Sequence, residues 1–108
     1  MSLSTHVLDA ASGRPAQGVS VRVEHLVGAN WESVAGGRTD SAGRISELGN
    51  PIGGVHRITF DTGQYFHAQR VATFYPEVIV TFEVADATQH YHVPLLLSPF
   101  GYSTYRGS

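Results

Sequence analysis

Apolar and polar residues alternate with a period of two along most of the chain. Residues 19–24 place valine at every odd position and a polar side chain at every even position, which is typical of a strand with one solvated face. Residues 78–84 alternate Val or Phe with Ile, Thr and Glu, and predict a strand that is more extensively buried on both faces. Shorter segments of the same kind occupy residues 3–8, 31–39, 55–60, 90–97 and 102–106.

Turn signals separate these segments. Residues 40–43 carry Asp first and Gly fourth, the pattern of a type I turn, and residues 98–101 add Pro at the second position. Seven to eight short strands with a turn about every 8–12 residues predict an all-β antiparallel sandwich. One short helix is predicted over residues 62–69, with Thr62 as its N-cap. No repeat or linker is found, so residues 1–108 are interpreted as a single domain.

Composition narrows the classes of function. Nine acidic and seven basic residues give a formal net charge of −2, and the basic residues are arginines scattered along the chain. Because nucleic-acid binding needs a clustered basic face, we expect no nucleic-acid partner. The absence of cysteine excludes disulfides and thiolate chemistry. We find neither a signal-peptide pattern nor an apolar run of membrane-spanning length, so we expect a cytoplasmic protein with no membrane partner.

Two of the six histidines stand in the segment over residues 90–97. On a strand, His90 and His92 point to the same face, which Pro94 and Leu96 continue. The intervening residues are all apolar and predict the face that packs on the core, so the histidines point away from it. Pro94 cannot donate a ladder hydrogen bond, which favours an edge or irregular strand.

A third outward-facing histidine is predicted near the N-terminus. His6 and Leu8 share one face of the first strand, with Val7 on the other. An outward leucine beside a histidine is typical of a surface that another subunit covers. A domain of this size also builds a ligand cavity more easily between subunits than inside one core. Residues 102–108 contain no aliphatic side chain, which fits either a frayed terminus or the lining of a polar site.

The histidines admit a metal interpretation. His90 and His92, with His6 as a third ligand, could hold zinc in a three-histidine hydrolytic site. Cysteine is absent and carboxylates are not clustered nearby, so this interpretation is weak, and a structural or surface role for the pair stays open beside a catalytic one. The remaining histidines are interpreted as surface or boundary residues: His25, His56 and His67. The chain has neither a nucleophile elbow nor a glycine-rich phosphate loop.

Residues 90–108, HYHVPLLLSPFGYSTYRGS, resemble the C-terminal signature of the hydroxyisourate hydrolases, the enzymatic relatives of the hormone carrier transthyretin. Residues 5–9, the Gly43-Arg44 turn and residues 74–82 are similar to other parts of that family, so the resemblance spans the chain. The closing residues 105–108, YRGS, are its most specific part, because the transthyretins diverge there.

This resemblance implies a transthyretin-like sandwich that assembles into a homotetramer, with sites in the channel between dimers and no metal or organic cofactor. His56 departs from the family, which has an aromatic residue there. The positions that correspond to the family's catalytic residues are His6, Arg44, His92 and Ser108. Substrate contacts are expected at Tyr105, Arg106, Leu8 and Pro94.

The implied reaction is hydrolysis of a cyclic amide in 5-hydroxyisourate, which yields 2-oxo-4-hydroxy-4-carboxy-5-ureidoimidazoline during urate degradation. Such a reaction needs a base for the water, a stabiliser for the oxyanion and a proton for the departing nitrogen. The two histidines could exchange protons, Arg44 could hold developing charge, and Ser108 could fix the water or the ring. The sequence leaves open which histidine is the base. The competing interpretation is a transthyretin-like binding protein without catalysis, since the fold would be the same.

Overall fold

Two β-sheets pack face to face around a core made by their inward-facing residues. The structure is a computed structural model that describes residues 2–107. Its elements, in chain order, are β1 (Leu3–Asp9), β2 (Arg14–Pro15), β3 (Ser20–Val27), β4 (Asn30–Arg38), β5 (Arg44–Ile45), β6 (Gly54–Phe60), α1 (Thr62–Ala68), β7 (Val78–Val84), β8 (Tyr91–Ser98) and β9 (Gly101–Thr104). One sheet has the order β2-β1-β8-β9, with β5 also paired to β1, and the other has the order β4-β3-β6-β7. The predicted all-β sandwich with one short helix is confirmed.

Two details of the sheets differ from the prediction. Within residues 2–107 there are nine strands rather than seven or eight, because β2 and β5 are two-residue strands that alternation does not reveal. The pairing is also not antiparallel throughout, since β1 and β8 run parallel, from Leu3↔Tyr91 to Asp9↔Leu97. Most of the chain lies between these two strands, so no hairpin fixes their relative direction.

The core follows the alternation of the sequence. Odd-numbered residues of β1 and β8 point inward and meet those of the second sheet, as strands with period two require. The buried apolar residues are Leu3, Val7, Ala16, Val19, Val21, Val23, Leu48, Ile58, Phe60, Phe66, Val78, Val84, Tyr91, Val93, Leu95 and Leu97. The prediction that β7 is buried on both faces was wrong, because Ile79 is 41% exposed. This strand lies at the edge of its sheet, and nothing in the described chain covers its outer face.

The helix begins one residue earlier than its predicted cap implies. Asp61, not Thr62, is the N-cap, and its carboxylate accepts a hydrogen bond from the backbone N–H of Gln64 at 3.4 Å. Thr62 is fully buried in the first turn, and Phe66 inserts into the core. The Tyr65 hydroxyl donates to Asp9 Oδ2 at 2.9 Å and ties the helix to β1. This short helix is not long and apolar enough to cross a membrane, and no other helix occurs in residues 2–107.

His56 is a core residue, and its assignment to the surface was wrong. Its side chain is 0% exposed and stacks on His25, with ring centroids 4.5 Å apart, and on Phe82, at 5.8 Å. Its Nδ1 donates to the carbonyl of Gly54 at 3.1 Å, while Nε2 is buried without a partner in the described chain. An aromatic ring therefore does occupy this position, but a titratable one.

We expect this histidine to make folding sensitive to acid. Burial lowers the pKa of His56 below its usual 6.5, and the neighbouring His25 lowers it further, while the Gly54 carbonyl acts in the opposite direction. Between 6.5 and the lower pKa of the folded state, only the unfolded chain binds the proton, so the free energy of unfolding decreases as pH falls through this window.

His56→Phe should reduce the loss of stability on acidification. Thermal unfolding of the variant and the wild type, each at pH 7.5 and at pH 5.5, measures this loss. His67→Asn, a change at an exposed histidine of α1, serves as the control and should keep the wild-type dependence. If His56→Phe and the wild type lost equal stability between pH 7.5 and pH 5.5, the attribution of the acid sensitivity to His56 would be contradicted.

Candidate active site

One face of the β1–β8 pair gathers most of the predicted site residues. The parallel register sets Ser4 beside His92, His6 beside Pro94 and Leu8 beside Leu96. These even-numbered residues point away from the sandwich core, as the period-two alternation predicted. We call this surface the outer face. Pro94 is buried there and the other five are half-buried.

A tight turn delivers Arg44 to the same face. The predicted type I turn is present, with the Gly43 N–H donating to the Asp40 carbonyl at 2.9 Å. Asp40 Oδ1 also accepts from the backbone N–H of Arg44 at 2.9 Å. Gly43 has φ +73°, and a Cβ there would overlap the carbonyl oxygen of Val7, so only glycine fits. Arg44 pairs with His6 in the β1–β5 ladder, so the exposed arginine side chain and the histidine share one face of the sheet.

The imidazole of His92 is held in one orientation. Its Nδ1 is 2.7 Å from Ser4 Oγ, and Nε2 has no hydrogen-bond partner among residues 2–107. Burial lowers the pKa of His92 below its usual 6.5, and electrostatic interactions with His6, His90 and Arg44 lower it further, against the opposing effect of a hydrogen bond to the backbone of Ser4. At neutral pH this ring is therefore uncharged, with a nitrogen available to accept a proton.

Of the two predicted alternatives for Pro94, an edge strand or an irregular one, the structure shows the second: the strand is central, but its ladder is interrupted at the proline. β8 is flanked by β1 and β9, and the β8–β9 ladder stops after Leu95↔Thr104. The next hydrogen-bonded position would need an N–H from Pro94, which has none. Its carbonyl accepts the Thr104 hydroxyl at 2.7 Å instead. The ladder resumes in the same register two pairs later, where Gly107 N–H donates to the His92 carbonyl at 2.8 Å.

The polar C-terminal segment is therefore anchored, not frayed, as far as Gly107. A Cβ on Gly107 would overlap His92 Cδ2 and lie 3.1 Å from Cγ, so the glycine backbone packs directly against the catalytic candidate. Tyr105 falls opposite Pro94 in the interrupted register and is 60% exposed.

Arg106 is directed away from His6 and Arg44, although it lines one cavity together with His92 and Tyr105. Its guanidinium lies 4.6 Å from the centroid of the Tyr91 ring and donates to Gln89 Oε1 at 3.0 Å. Tyr91 belongs to the core-facing set of β8, so Arg106 lies on the opposite side of the sheet from His6 and Arg44. With Tyr91 and Phe82 it lines a cavity of about 240 Å³ between β7 and the C-terminal segment. Ser108, the remaining predicted residue, lies outside the described residues.

Two serines were missed by the sequence reasoning. Ser4 bonds His92, and Ser2 Oγ lies 2.6 Å from His90 Nδ1. Both serines have even residue numbers like His6, Ser4 within β1 and Ser2 just before it, and this spacing was the available signal. The parallel partner strand that brings them to the histidines was not predicted.

A metal site finds little support in this geometry. Among residues 2–107, no three His, Cys, Asp or Glu side chains are grouped so that they could hold a metal ion. A cavity of about 490 Å³ lies beside α1 at Asp61, His67 and Phe74, and none of the predicted site residues lines it.

Fold and site together define a transthyretin-type sandwich with a polar, histidine-bearing outer face, and the chain belongs to the HIUase/Transthyretin family, which it matches over residues 3–107. It is 47% identical over 109 residues to the 5-hydroxyisourate hydrolase of Salmonella dublin, covering 98% of this chain and 80% of that one. The structure of Klebsiella pneumoniae 5-hydroxyisourate hydrolase superposes with a TM-score of 0.89 at 34% identity, over the full length of both chains. Sea bream transthyretin in complex with thyroxine superposes with a TM-score of 0.94 at 34% identity, covering 99% and 95% of the two chains.

These scores show that backbone shape does not separate the two branches of the family. The transthyretin superposes slightly better than the hydrolase at the same identity. Function must therefore be inferred from the side chains of the site.

We expect Gly107→Ala to displace the His92 ring, because the added Cβ has no other space. Moving the ring outward exposes it to solvent and breaks its bond to Ser4, so the pKa of His92 should rise towards 6.5. Titration of the histidine Hε1 resonances by NMR measures this shift.

Gly101→Ala is the matched control, since the nearest atom to its added Cβ, Ser98 Oγ, is at an ordinary 3.6 Å. Unchanged His92 resonances in Gly107→Ala would show that the packing described is not maintained in solution.

Proposed function

We propose that this chain hydrolyses 5-hydroxyisourate to 2-oxo-4-hydroxy-4-carboxy-5-ureidoimidazoline, the ring-opening step of urate degradation. The family match and the hydrolases of Salmonella and Klebsiella support this activity. The observation that carries it is the juxtaposition of His6, Arg44 and His92 on one outer face, with His92 Nε2 unpaired in the described chain. A protein that only binds an apolar ligand has no use for this set.

His92 is the proposed general base. Its low pKa keeps it neutral at physiological pH, and the Ser4 contact at Nδ1 leaves Nε2 to take a proton from water. As that proton moves, the water oxygen bonds to the ring carbonyl carbon and the carbonyl becomes an oxyanion. Collapse of this intermediate breaks the carbon–nitrogen bond.

Arg44 is proposed to stabilise the oxyanion, and His6 is proposed to protonate the departing nitrogen. The guanidinium is permanently charged and planar, so it can hold the oxyanion or a neighbouring ring oxygen with two hydrogen bonds. His6, its partner in the β1–β5 ladder, is placed on the same face to protonate the departing nitrogen. Leu8, Pro94 and Tyr105 would border the ring. Ser108 is kept as a proposed site residue, whereas Arg106 could contribute only by leaving Tyr91.

We further propose that the site is completed in a homotetramer. The outer face of one protomer is an open surface, and half-buried Leu8 and Leu96 beside the polar residues suit coverage by another copy. A channel between two such faces would exclude water from the ring and strengthen each charge interaction. The absence of a cofactor, the cytoplasmic location and the lack of a nucleic-acid partner stay predictions of the sequence.

The alternative is a transthyretin-like binding protein without catalysis. The thyroxine complex of sea bream transthyretin superposes closely on this chain, so backbone shape is compatible with this alternative as well. Binding without turnover would require the three polar residues of the face to contact a ligand that does not react.

The hydrolase proposal is tested by generating 5-hydroxyisourate from urate with urate oxidase and following its absorbance. The protein should accelerate the decay, and EDTA should leave the rate unchanged, since no metal takes part. Arg44→Lys should lower turnover by roughly 10–100-fold because lysine offers no planar fork, whereas His67→Asn should not.

Decay at the spontaneous rate would sink the assignment, and loss with EDTA that zinc restores would return the metal interpretation. Sedimentation of the same sample tests the tetramer, which an active monomer would contradict.

The rate should also report the charge of His92. Because burial and the interactions with His6, His90 and Arg44 lower its pKa, kcat/KM should fall only below pH 6.5, as the base becomes protonated. His6→Asn removes one group that lowers the pKa of His92, so that pKa rises and the midpoint of the acid limb should move upward. A midpoint that moves downward, or an acid limb centred above pH 6.5 in the wild type, would exclude His92 as the base.

A further inference from the structure

Four side chains form a continuous hydrogen-bonded row along the end of the outer face. Ser4 Oγ lies 2.7 Å from His92 Nδ1 and 3.1 Å from His90 Nε2. The opposite nitrogen of His90, Nδ1, lies 2.6 Å from Ser2 Oγ. The row therefore runs from the half-buried His92 to the exposed His90 without a gap.

The proton count of this row permits only two arrangements of neutral rings. A serine hydroxyl has one proton, so Ser4 can donate to only one of its two imidazole neighbours and must accept from the other. In one arrangement His92 Nδ1–H donates to Ser4, Ser4 donates to His90 Nε2, and His90 Nδ1–H donates to Ser2. In the other every bond is reversed. Only the first leaves His92 Nε2 without a proton and able to act as a base.

The proposed hydrolysis, on which this inference rests, creates a need for such a row. Opening a cyclic amide with water gives a carboxylic acid and a ureido N–H. One proton of the water ends on the nitrogen, and the other is released because the acid is ionised at neutral pH. Each turnover therefore leaves one proton to be removed from a half-buried site that already contains Arg44 and His6.

We propose that Ser4 and His90 relay this proton from His92 to solvent. When Nε2 of His92 gains a proton, its Nδ1 proton passes to Ser4 while the Ser4 proton passes to His90 Nε2. The positive charge then resides on His90, and His92 is neutral with its proton on Nε2. Loss of the His90 Nδ1 proton to solvent leaves the row in its second arrangement. After the product leaves, water takes the Nε2 proton of His92 and another water protonates His90 Nδ1. The His90 Nε2 proton then passes to Ser4 and the Ser4 proton to His92 Nδ1, which restores the first arrangement and the base. His90 and Ser4 are thus positioning residues, since neither has to touch the substrate.

The electrostatics of the face favour outward transfer. His92 is flanked by His6 on β1, by Arg44 on β5 and by His90 beside its own strand, and all three disfavour a charge on its ring. His90 is exposed at the end of the face, so water can stabilise the charge there. Moving the proton by one serine therefore takes it from the less favourable ring to the more favourable one.

The test is kinetic and uses the full-length protein in weakly buffered solution. His90→Asn keeps a hydrogen-bonding side chain but cannot carry a proton through, so kcat should fall by about tenfold or more while KM changes less than about twofold. Increasing concentrations of imidazole should restore kcat, because a diffusible base takes the place of His90. The wild-type rate should not depend on imidazole.

Substitutions at Ser4 test the bridge. Ser4→Ala should also lower kcat, and imidazole should restore it less because His92 itself loses its partner, whereas Ser4→Thr keeps the hydroxyl and most of the rate. His67→Asn, which removes an exposed histidine of α1, is the control for the loss of a surface imidazole.

The relay is overturned if His90→Asn keeps the wild-type kcat at the lowest buffer concentration. It is also overturned if the loss is not restored by imidazole and comes with a changed KM or melting temperature, since His90 would then act only as a structural support. An inactive wild type would instead overturn the hydrolase assignment, and the relay with it, so the two failures are distinct.

Discussion

The parallel pairing of β1 with β8 is the contact on which the site depends. It joins the first and last parts of the sandwich, and its register sets Ser4 against His92 and His6 against Pro94. A slip by one residue would turn every outward side chain of one strand into the core. Because the inward residues of both strands are tightly buried and all but Thr5 and Asp9 are apolar, packing of the core prevents that slip. The geometry of the polar face is therefore maintained by the hydrophobic face behind it.

A missing hydrogen bond has a structural use at the other edge of β8. Pro94 interrupts the ladder with β9, and the chain pairs again only at Gly107, in unchanged register. Between these points Tyr105 and Arg106 are free of the ladder, and Gly107 returns close enough to contact the His92 ring. A proline in a central strand is costly in most sheets. Here it interrupts the β8–β9 ladder, which lets the polar residues between Thr104 and Gly107 leave the sheet beside the site.

The sequence predicted the sandwich, the parity of its strands and the outward placement of His6 and His92, because period-two alternation reports burial directly. It could not predict the parallel pair, since alternation is blind to strand direction, and so the Ser4 contacts were missed. His56 was wrongly assigned to the surface or boundary because a histidine in a sequence does not by itself indicate whether it is buried. The aromatic residue that the family has at this position would have indicated a buried one. The position of Arg106 depends on a contact with Tyr91 that only the folded chain reveals. Resemblance placed Arg44 correctly on the face of His6, which local pattern alone did not do.

Within this family the fold does not decide between carrying a ligand and transforming it, since a transthyretin and a hydrolase both superpose closely on this chain. What the outer face adds is a half-buried imidazole whose protonated form is disfavoured by burial and by His6, His90 and Arg44. Such a ring is held neutral when the chain is at rest, and that makes it a base at neutral pH, but it also makes the ring a poor final holder of the proton it accepts. A base of this kind needs an exit for protons, and the serine and exposed histidine at the end of the strand supply one. The low pKa that makes His92 a base and the hydrogen-bonded row that removes its proton are therefore both needed for turnover.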